Sequence, residues 1–150
     1  RIKNQILKTN NDMKDELIKS ETAKLAKEKC FDVEVINHYY NTEGMNTGKD
    51  YDMFMDDVKN SEIEHNEYSA PTQSLLQKWL REEHDIHVEI ELIDNSRTFQ
   101  WEYAIVTSRD RDYNDLDCMD SAKRHYNSCN FKTYELALES GLFNALNLLP

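Results

Sequence analysis

The sequence predicts an α+β fold, and two periodic patterns carry that prediction. Residues 86–92 alternate between apolar and polar side chains, and residues 98–106 have large apolar side chains at every second position, which is typical of the two strands of an antiparallel hairpin. Apolar residues at helical spacing over residues 71–82 and after Thr133 predict a helix on either side of this hairpin. We therefore expect a small antiparallel sheet with two helices on one face, and an additional N-terminal helix.

The predicted hairpin has an apolar face on each strand. Asn95 falls in the turn between the strands, where asparagine tolerates a positive φ. The predicted core-facing positions are Ile86, Val88, Ile90 and Leu92 on the first strand, and Phe99, Trp101, Tyr103 and Ile105 on the second. We expect Trp101 to share a core with Trp79 of the preceding helix, because both lie on apolar faces.

Both flanking helices have recognisable starts. Ser69 offers a cap for the first helix, and Pro71 suits its first turn, where a missing N–H costs nothing. Thr133 is predicted to cap the last helix. The apolar faces comprise Leu75, Leu76, Trp79 and Leu80 in the first, and Tyr134, Ala137, Leu138, Gly141, Leu142, Ala145, Leu146 and Leu149 in the second.

The chain divides into an N-terminal helical segment over residues 1–29 and a single α+β domain over residues 30–150. A thin apolar stripe begins near Met13, and Ser20 or Thr22 can restart the helix. A stripe this narrow needs a partner surface, which is either its own domain or a second copy of the chain. Homo-oligomer formation through this helix is therefore an expectation of the sequence.

The region before the hairpin is less regular. Residues 31–40 are rich in β-branched and aromatic side chains, which predicts a strand. Residues 50–59 have apolar side chains at helical spacing, which favours a short helix, with an edge strand as the alternative. The polar stretches are predicted to be turns or loops: residues 41–49, residues 60–68 and residues 108–130, the last with a short helix near residues 120–126.

The chain is strongly acidic, with a net charge of −11 over 150 residues. Residues 1–29 carry eight basic and five acidic residues, a net +3, which leaves −14 on residues 30–150. Because a body this anionic repels phosphates, we expect no nucleic acid and no membrane among its partners. No apolar run approaches the length of a bilayer span, and no export signal accompanies the three cysteines. The prediction is a cytoplasmic protein with reduced thiols.

The sequence offers one near-match to a metal-binding motif. Asp110, Asp112 and Asn114 stand where a calcium loop begins, but Asp115 replaces its glycine and Ser121 its bidentate glutamate. We therefore expect no metal site, with the acidic loop as the one place where a bound ion is an alternative.

The sequence gives less support for a zinc site or a catalytic site. The residues of zinc-ligating type have the wrong spacing: His84, His87, Cys118, His125 and Cys129. Carboxylates surround Cys118, and they disfavour the thiolate that a nucleophile requires. We expect no catalytic residues, no cofactor and no enzymatic activity.

An acidic belt interleaved with apolar residues runs from residue 43 to residue 67. Carboxylates around aromatic anchors suit a basic protein as partner. The residues that we expect to contact this partner are Asp50, Asp52, Phe54, Asp56 and Asp57. In the alternative interpretation, the apolar residues belong to the core and the acids form its solvated face.

The run at residues 70–81, Ala-Pro-Thr-Gln-Ser-Leu-Leu-Gln-Lys-Trp-Leu-Arg, resembles small uncharacterised proteins of gut-bacterial prophages and other mobile elements. The resemblance covers mainly residues 20–40 and 70–149. It implies a genomic setting and no chemistry, because the family has no assigned activity. Related sequences have glycine at the position of Cys30, which suits the left-handed backbone after a helix.

These features predict a non-enzymatic protein-interaction protein of phage or prophage type that binds a basic host protein. Two alternatives stay open. One is a virion or assembly accessory protein, and the other is an enzyme of unidentifiable type.

Overall fold

The computed structural model describes residues 15–41, 51–94, 98–107 and 123–150, which form an α+β fold. In chain order, the helices and strands of these residues are α1 (Ser20–Glu28), β1 (Val35–Asn41), β2 (Tyr51–Val58), β3 (Glu67–Ser69), α2 (Gln73–His84), β4 (Ile86–Asp94), β5 (Phe99–Thr107), β6 (Lys123–Phe131) and α3 (Tyr134–Leu146). The helix predicted near Met13 begins outside the described residues, and α1 starts at Ser20, one of the two predicted restart points.

The strands form two antiparallel sheets of three strands each, where the sequence predicted one sheet. The strand order is β2-β1-β3 in the first sheet and β4-β5-β6 in the second. The predicted hairpin is present as β4 and β5, with Ile86 paired to Thr107 and Asp94 paired to Phe99. The turn between them, including Asn95, lies outside the described residues.

The first sheet corrects two predictions. A short helix was favoured for residues 50–59, with an edge strand as the alternative, and the structure has the strand, since Tyr51–Val58 pair along β1. Glu67–Ser69 form β3 within the predicted loop. The apolar side chains of residues 51–58 fit either period. Pairing with the aromatic strand β1 decides between them, because strand propensity depends on cross-strand neighbours that a single segment does not reveal.

The second sheet corrects a third prediction. Residues 120–126 were expected to form a short helix, but Lys123–Phe131 form β6 beside β5. This strand is mostly polar and lacks the regular apolar alternation by which strands are recognised. Backbone pairing with β5, which is the central strand, fixes it instead. The calcium-like loop over residues 110–117 lies outside the described residues.

One core joins the helices to the sheets. Helix α3 packs against β4 and β5 and also contacts α1 and α2. The largest fully buried apolar side chains are Ile18, Phe31, Leu76, Leu80, Ile86, Leu142 and Leu146. Gly141 permits the close approach of α3 to the sheet, since a Cβ there would lie 2.6 Å from Val88 Cγ1 and 3.2 Å from the Tyr103 ring.

The two tryptophans do not share a core, which corrects another prediction. Trp79 is partly buried and packs edge-on against Phe31, with ring centroids 5.3 Å apart. Trp101 lies instead beside Tyr134, at a centroid distance of 5.5 Å. The end of the hairpin extends past the core, so Leu92 and Phe99, both predicted to be core residues, are exposed.

The helix ends follow capping rules. Thr72, rather than the predicted Ser69, caps α2 by accepting a hydrogen bond from the Leu75 N–H, because Ser69 is part of β3. Thr133 caps α3 as predicted. Cys30 follows α1 with φ of 66°, in the left-handed region that usually takes glycine.

Candidate interaction surface

Among the described residues, strand β2 forms the outer edge of the first sheet, and it positions four of the five predicted partner-binding residues. Asp52 pairs with Tyr40, and Phe54 pairs with His38. Side chains alternate along a strand, so Asp52 and Phe54 share one face of the sheet. The predicted residue Asp50 lies outside the described residues.

A β-bulge interrupts β2 near its end. Met55 pairs with Asn37 and Val58 pairs with Val35, so two residues of β2, Asp56 and Asp57, lie opposite the single residue Ile36. Both aspartates are exposed. The bulge therefore gathers two carboxylates beside an apolar side chain at one corner of the sheet.

Large apolar side chains are exposed along this edge. The exposed fraction is 76% for Met55, 59% for Ile36, 47% for Phe54 and 42% for Met53. The alternative interpretation, in which the apolar residues of the belt are core, is therefore wrong for Met53, Phe54 and Met55. We define the β2 surface as Ile36, Asp52, Met53, Phe54, Met55, Asp56 and Asp57.

Two aromatic rings of the neighbouring strand β1 contact Phe54 of the β2 surface. The ring of Phe54 stacks on the buried ring of His38 at a centroid distance of 5.5 Å, and its edge contacts Tyr40 at 5.9 Å. Two of its neighbours are thus rings on the adjacent strand, which limits the rotamers open to Phe54. An anchor that is already ordered loses less conformational entropy on binding.

Tyrosine side chains connect the opposite face of the first sheet to the core. Tyr39 contacts Tyr51, which in turn contacts Tyr68, at centroid distances of 6.4 Å and 5.8 Å. The Tyr39 hydroxyl donates a hydrogen bond of 2.8 Å to the carbonyl oxygen of Ile18. Burial, with a further contribution from the Glu139 carboxylate, raises the pKa of Tyr39, so this hydroxyl keeps its proton.

The chain leaving β2 is also fixed. Asp32 accepts two hydrogen bonds from Ser61, at 2.7 Å from the backbone N–H and 2.9 Å from the hydroxyl, and these bonds lower the pKa of Asp32. Asn60 is buried and donates to the Phe31 carbonyl at 2.6 Å. The bulge end of the β2 surface therefore has a defined position.

All charged side chains of the β2 surface are negative. Residues 51–58 contain three aspartates and no basic residue. Three consecutive apolar side chains thus lie between carboxylates on an exposed strand, with Phe54 on one face of the sheet and Met53 and Met55 on the other. This arrangement suits apolar contact with a cationic surface. Sequence reasoning missed Ile36 and His38, whose roles depend on the pairing of β1 with β2.

A cavity between α1 and α3 is the second candidate site. It has a volume of about 360 Å³, and its lining includes Thr22, Leu136, Glu139 and Phe143. The Glu139 carboxylate accepts hydrogen bonds from the Lys19 N–H, the Thr22 hydroxyl and the Gln73 amide. These bonds connect α1, α2 and α3. The Glu139 carboxylate therefore stabilises the fold, and its oxygens already accept hydrogen bonds from the protein.

Two of the histidines considered for zinc, His84 and His87, make other contacts. His84 packs edge-on against Trp79, with ring centroids 4.4 Å apart, and the His87 ring lies 3.2 Å from the Asp85 carboxylate. Over the residues whose side chains the structure describes, 15–41, 51–94, 98–107 and 130–150, no group of three or more potential ligands could hold a metal ion. Cys118 lies outside the described residues.

Comparison with protein-family models, with curated proteins and with solved structures finds no match to this chain. In the part of the chain that the structure describes, no helix has the length and apolar character needed to cross a membrane.

Proposed function

We propose that this chain is a non-enzymatic protein-interaction protein that binds a basic partner through the β2 surface. The observation that carries the proposal is the row of exposed apolar side chains on an edge strand, bordered by Asp52, Asp56 and Asp57. Contiguous exposed apolar side chains with a polar border are typical of protein-binding sites.

The two kinds of side chain have separate roles in the proposal. Phe54 and Met55 supply apolar area whose burial contributes affinity. The aspartates attract a cationic partner and repel anionic ones, which raises the association rate and sets specificity. The net charge of −14 over residues 30–150 acts in the same direction at longer range.

The proposed setting follows from the sequence. The run at residues 70–81 suggests a phage or prophage protein, and the target is then a basic protein of the host. We place the interaction in the cytoplasm, where the exposed thiol of Cys30 stays reduced.

The test is a comparative pull-down from host lysate with quantitative mass spectrometry. The bait is either the wild-type chain or the triple variant D52N/D56N/D57N, in which Asn keeps the shape and removes the charge. A basic protein that the wild-type chain enriches is expected to fall to background with the triple variant.

The matched control is E28Q/E83Q/E91Q. It removes the same amount of charge from three exposed glutamates outside the β2 surface, on α1, α2 and β4. This control should retain the partner. Equal enrichment by all three baits, or enrichment of acidic proteins alone, contradicts the proposal.

A further inference from the structure

We propose that the partner binds the edge of β2 as an added antiparallel β-strand, supplied by an extended segment that carries lysine or arginine. This inference rests on the proposed function and specifies how the β2 surface recognises its partner. Its first support is topological: among the described residues, β2 pairs with β1 alone, so it is an edge strand. Edge strands present unpaired N–H and C=O groups that can accept another strand.

The charge of β2 argues against a second copy of this chain as the occupant. Residues 51–58 contain three aspartates and no lysine or arginine. An antiparallel pair of two β2 strands would bring six carboxylates together, and like charges directly opposite each other destabilise a sheet. A cationic strand instead places a favourable charge beside each aspartate.

The bulge limits how far the added strand extends. Pairing of β2 with β1 is regular from Tyr51 to Met55 and shifts before Val58. A bulge bends its strand and terminates regular pairing. The added strand is therefore expected to pair with residues 52–55, while its first residues reach the carboxylates of Asp56 and Asp57.

This register defines the chemistry of the segment. Side chains directly opposite each other in an antiparallel pair interact across about 4.5–5.5 Å. An added strand therefore needs two cationic residues near Asp57 and Asp56, three apolar residues opposite Met55, Phe54 and Met53, and a cationic residue opposite Asp52. The β2 surface thus favours segments of the type Lys-Lys-Val-Ile-Val-Lys.

The test uses a fluorescein-labelled peptide, Lys-Lys-Val-Ile-Val-Lys between Gly-Ser flanks, titrated with the full chain and followed by fluorescence anisotropy. Two further peptides carry N-methyl groups on alternate residues, one on the odd and one on the even positions. In a strand only alternate N–H groups face the neighbouring strand. One methylated peptide is therefore expected to lose about tenfold or more in affinity, while the other binds as the parent does.

Two results overturn strand addition. One is no saturable binding of the parent peptide, and the other is equal affinity of the two methylated peptides. If the two methylated peptides bind equally but the wild-type chain still retains a basic protein in the pull-down, the proposed function stands and only strand addition is wrong. If the wild-type chain enriches no basic protein in the pull-down, or enriches it no better than the triple variant does, the proposed function itself fails.

A measurement on the protein, rather than on the peptide, gives an independent check of strand addition. Hydrogen–deuterium exchange should slow for backbone amides within residues 52–55 when the parent peptide binds, because an added strand satisfies them. The triple variant D52N/D56N/D57N should bind the peptide at least about tenfold more weakly, and E28Q/E83Q/E91Q should bind it as the wild-type chain does. Slowed exchange in β4 alone, with β2 unchanged, contradicts the assigned site.

Discussion

The carboxylate of Glu139 accepts a hydrogen bond from the hydroxyl of Thr22 at 2.6 Å, which joins α3 to α1 across 117 residues of sequence. The same side chain accepts from the Lys19 N–H at 2.9 Å and from the Gln73 amide at 3.0 Å. Glu139 is only 6% exposed, and all three donors belong to other elements or to the residue before α1. One buried carboxylate thus caps α1 and connects three helices.

Replacing Glu139 by glutamine should destabilise the fold by about 2 kcal/mol, because an amide has one acceptor oxygen where the carboxylate has two. The NH₂ group of the glutamine cannot accept a hydrogen bond, so a donor that faces this group loses its acceptor. Urea unfolding monitored by circular dichroism measures this difference. E135Q on the same helix is the control, since the Glu135 side chain is not part of this network. Equal stability of E139Q and E135Q contradicts the role assigned to Glu139.

Tyr39→Phe should lower the free energy of unfolding by about 1 kcal/mol, because the hydroxyl donates to the Ile18 carbonyl. Its pKa is raised in the folded state, so this contribution is fully present below the unfolded pKa of about 10 and is lost as pH rises through the folded pKa. Wild-type stability should therefore fall more steeply above pH about 10 than that of Y39F. Y40F is the control, and an identical alkaline decline in Y39F and the wild-type chain would rule out the assignment.

Gly141→Ala should destabilise the fold by about 1–3 kcal/mol, because the added Cβ would meet Val88 Cγ1 at 2.6 Å. The second substitution V88A removes that methyl group and should make G141A less costly than it is in the wild-type background. Thermal unfolding of the two single variants and the double variant measures the coupling. Additive effects would show that α3 and β4 do not approach as described.

Cys30→Gly should stabilise the chain by about 1 kcal/mol, because Cys30 has φ of 66° and glycine adopts this backbone without steric cost. The Phe31 N–H donates to Ala26 and the Cys30 N–H donates to Lys27, which forms the double hydrogen bond of a glycine-type helix end. The control K24G places glycine in the middle of α1 and should destabilise by about 1 kcal/mol. A loss of stability in C30G would contradict the assigned conformation.

The elements that sequence predicted well are those specified by their own residues. Strand β4 alternates strictly over residues 86–92, β5 has a large apolar side chain at every second position from Phe99 to Ile105, and α3 has both a capping threonine and a broad apolar stripe. In each case a local pattern fits only one secondary structure.

The elements that sequence missed depend on distant neighbours. Strand β2 has a pattern that suits either helix or strand until β1 pairs with it, and β6 is polar and depends on pairing with β5. The local sequence does not mark Glu139 as a buried residue, because its hydrogen-bond partners lie far away in sequence. For the candidate site, sequence identified Asp52, Phe54, Asp56 and Asp57, while Ile36 required the register of the first sheet.

The most direct test of the central claim is oxidative footprinting of the chain with and without the basic partner retained in the pull-down, read by mass spectrometry at each residue. Exposed methionine and phenylalanine side chains are oxidised unless a partner covers them. We expect protection of Met53, Phe54 and Met55, with unchanged oxidation of Phe99 at the far hairpin end, which is 69% exposed. Protection of Phe99 with unchanged oxidation of Met55, 76% exposed in the free chain, would contradict the claim that the β2 surface binds the partner.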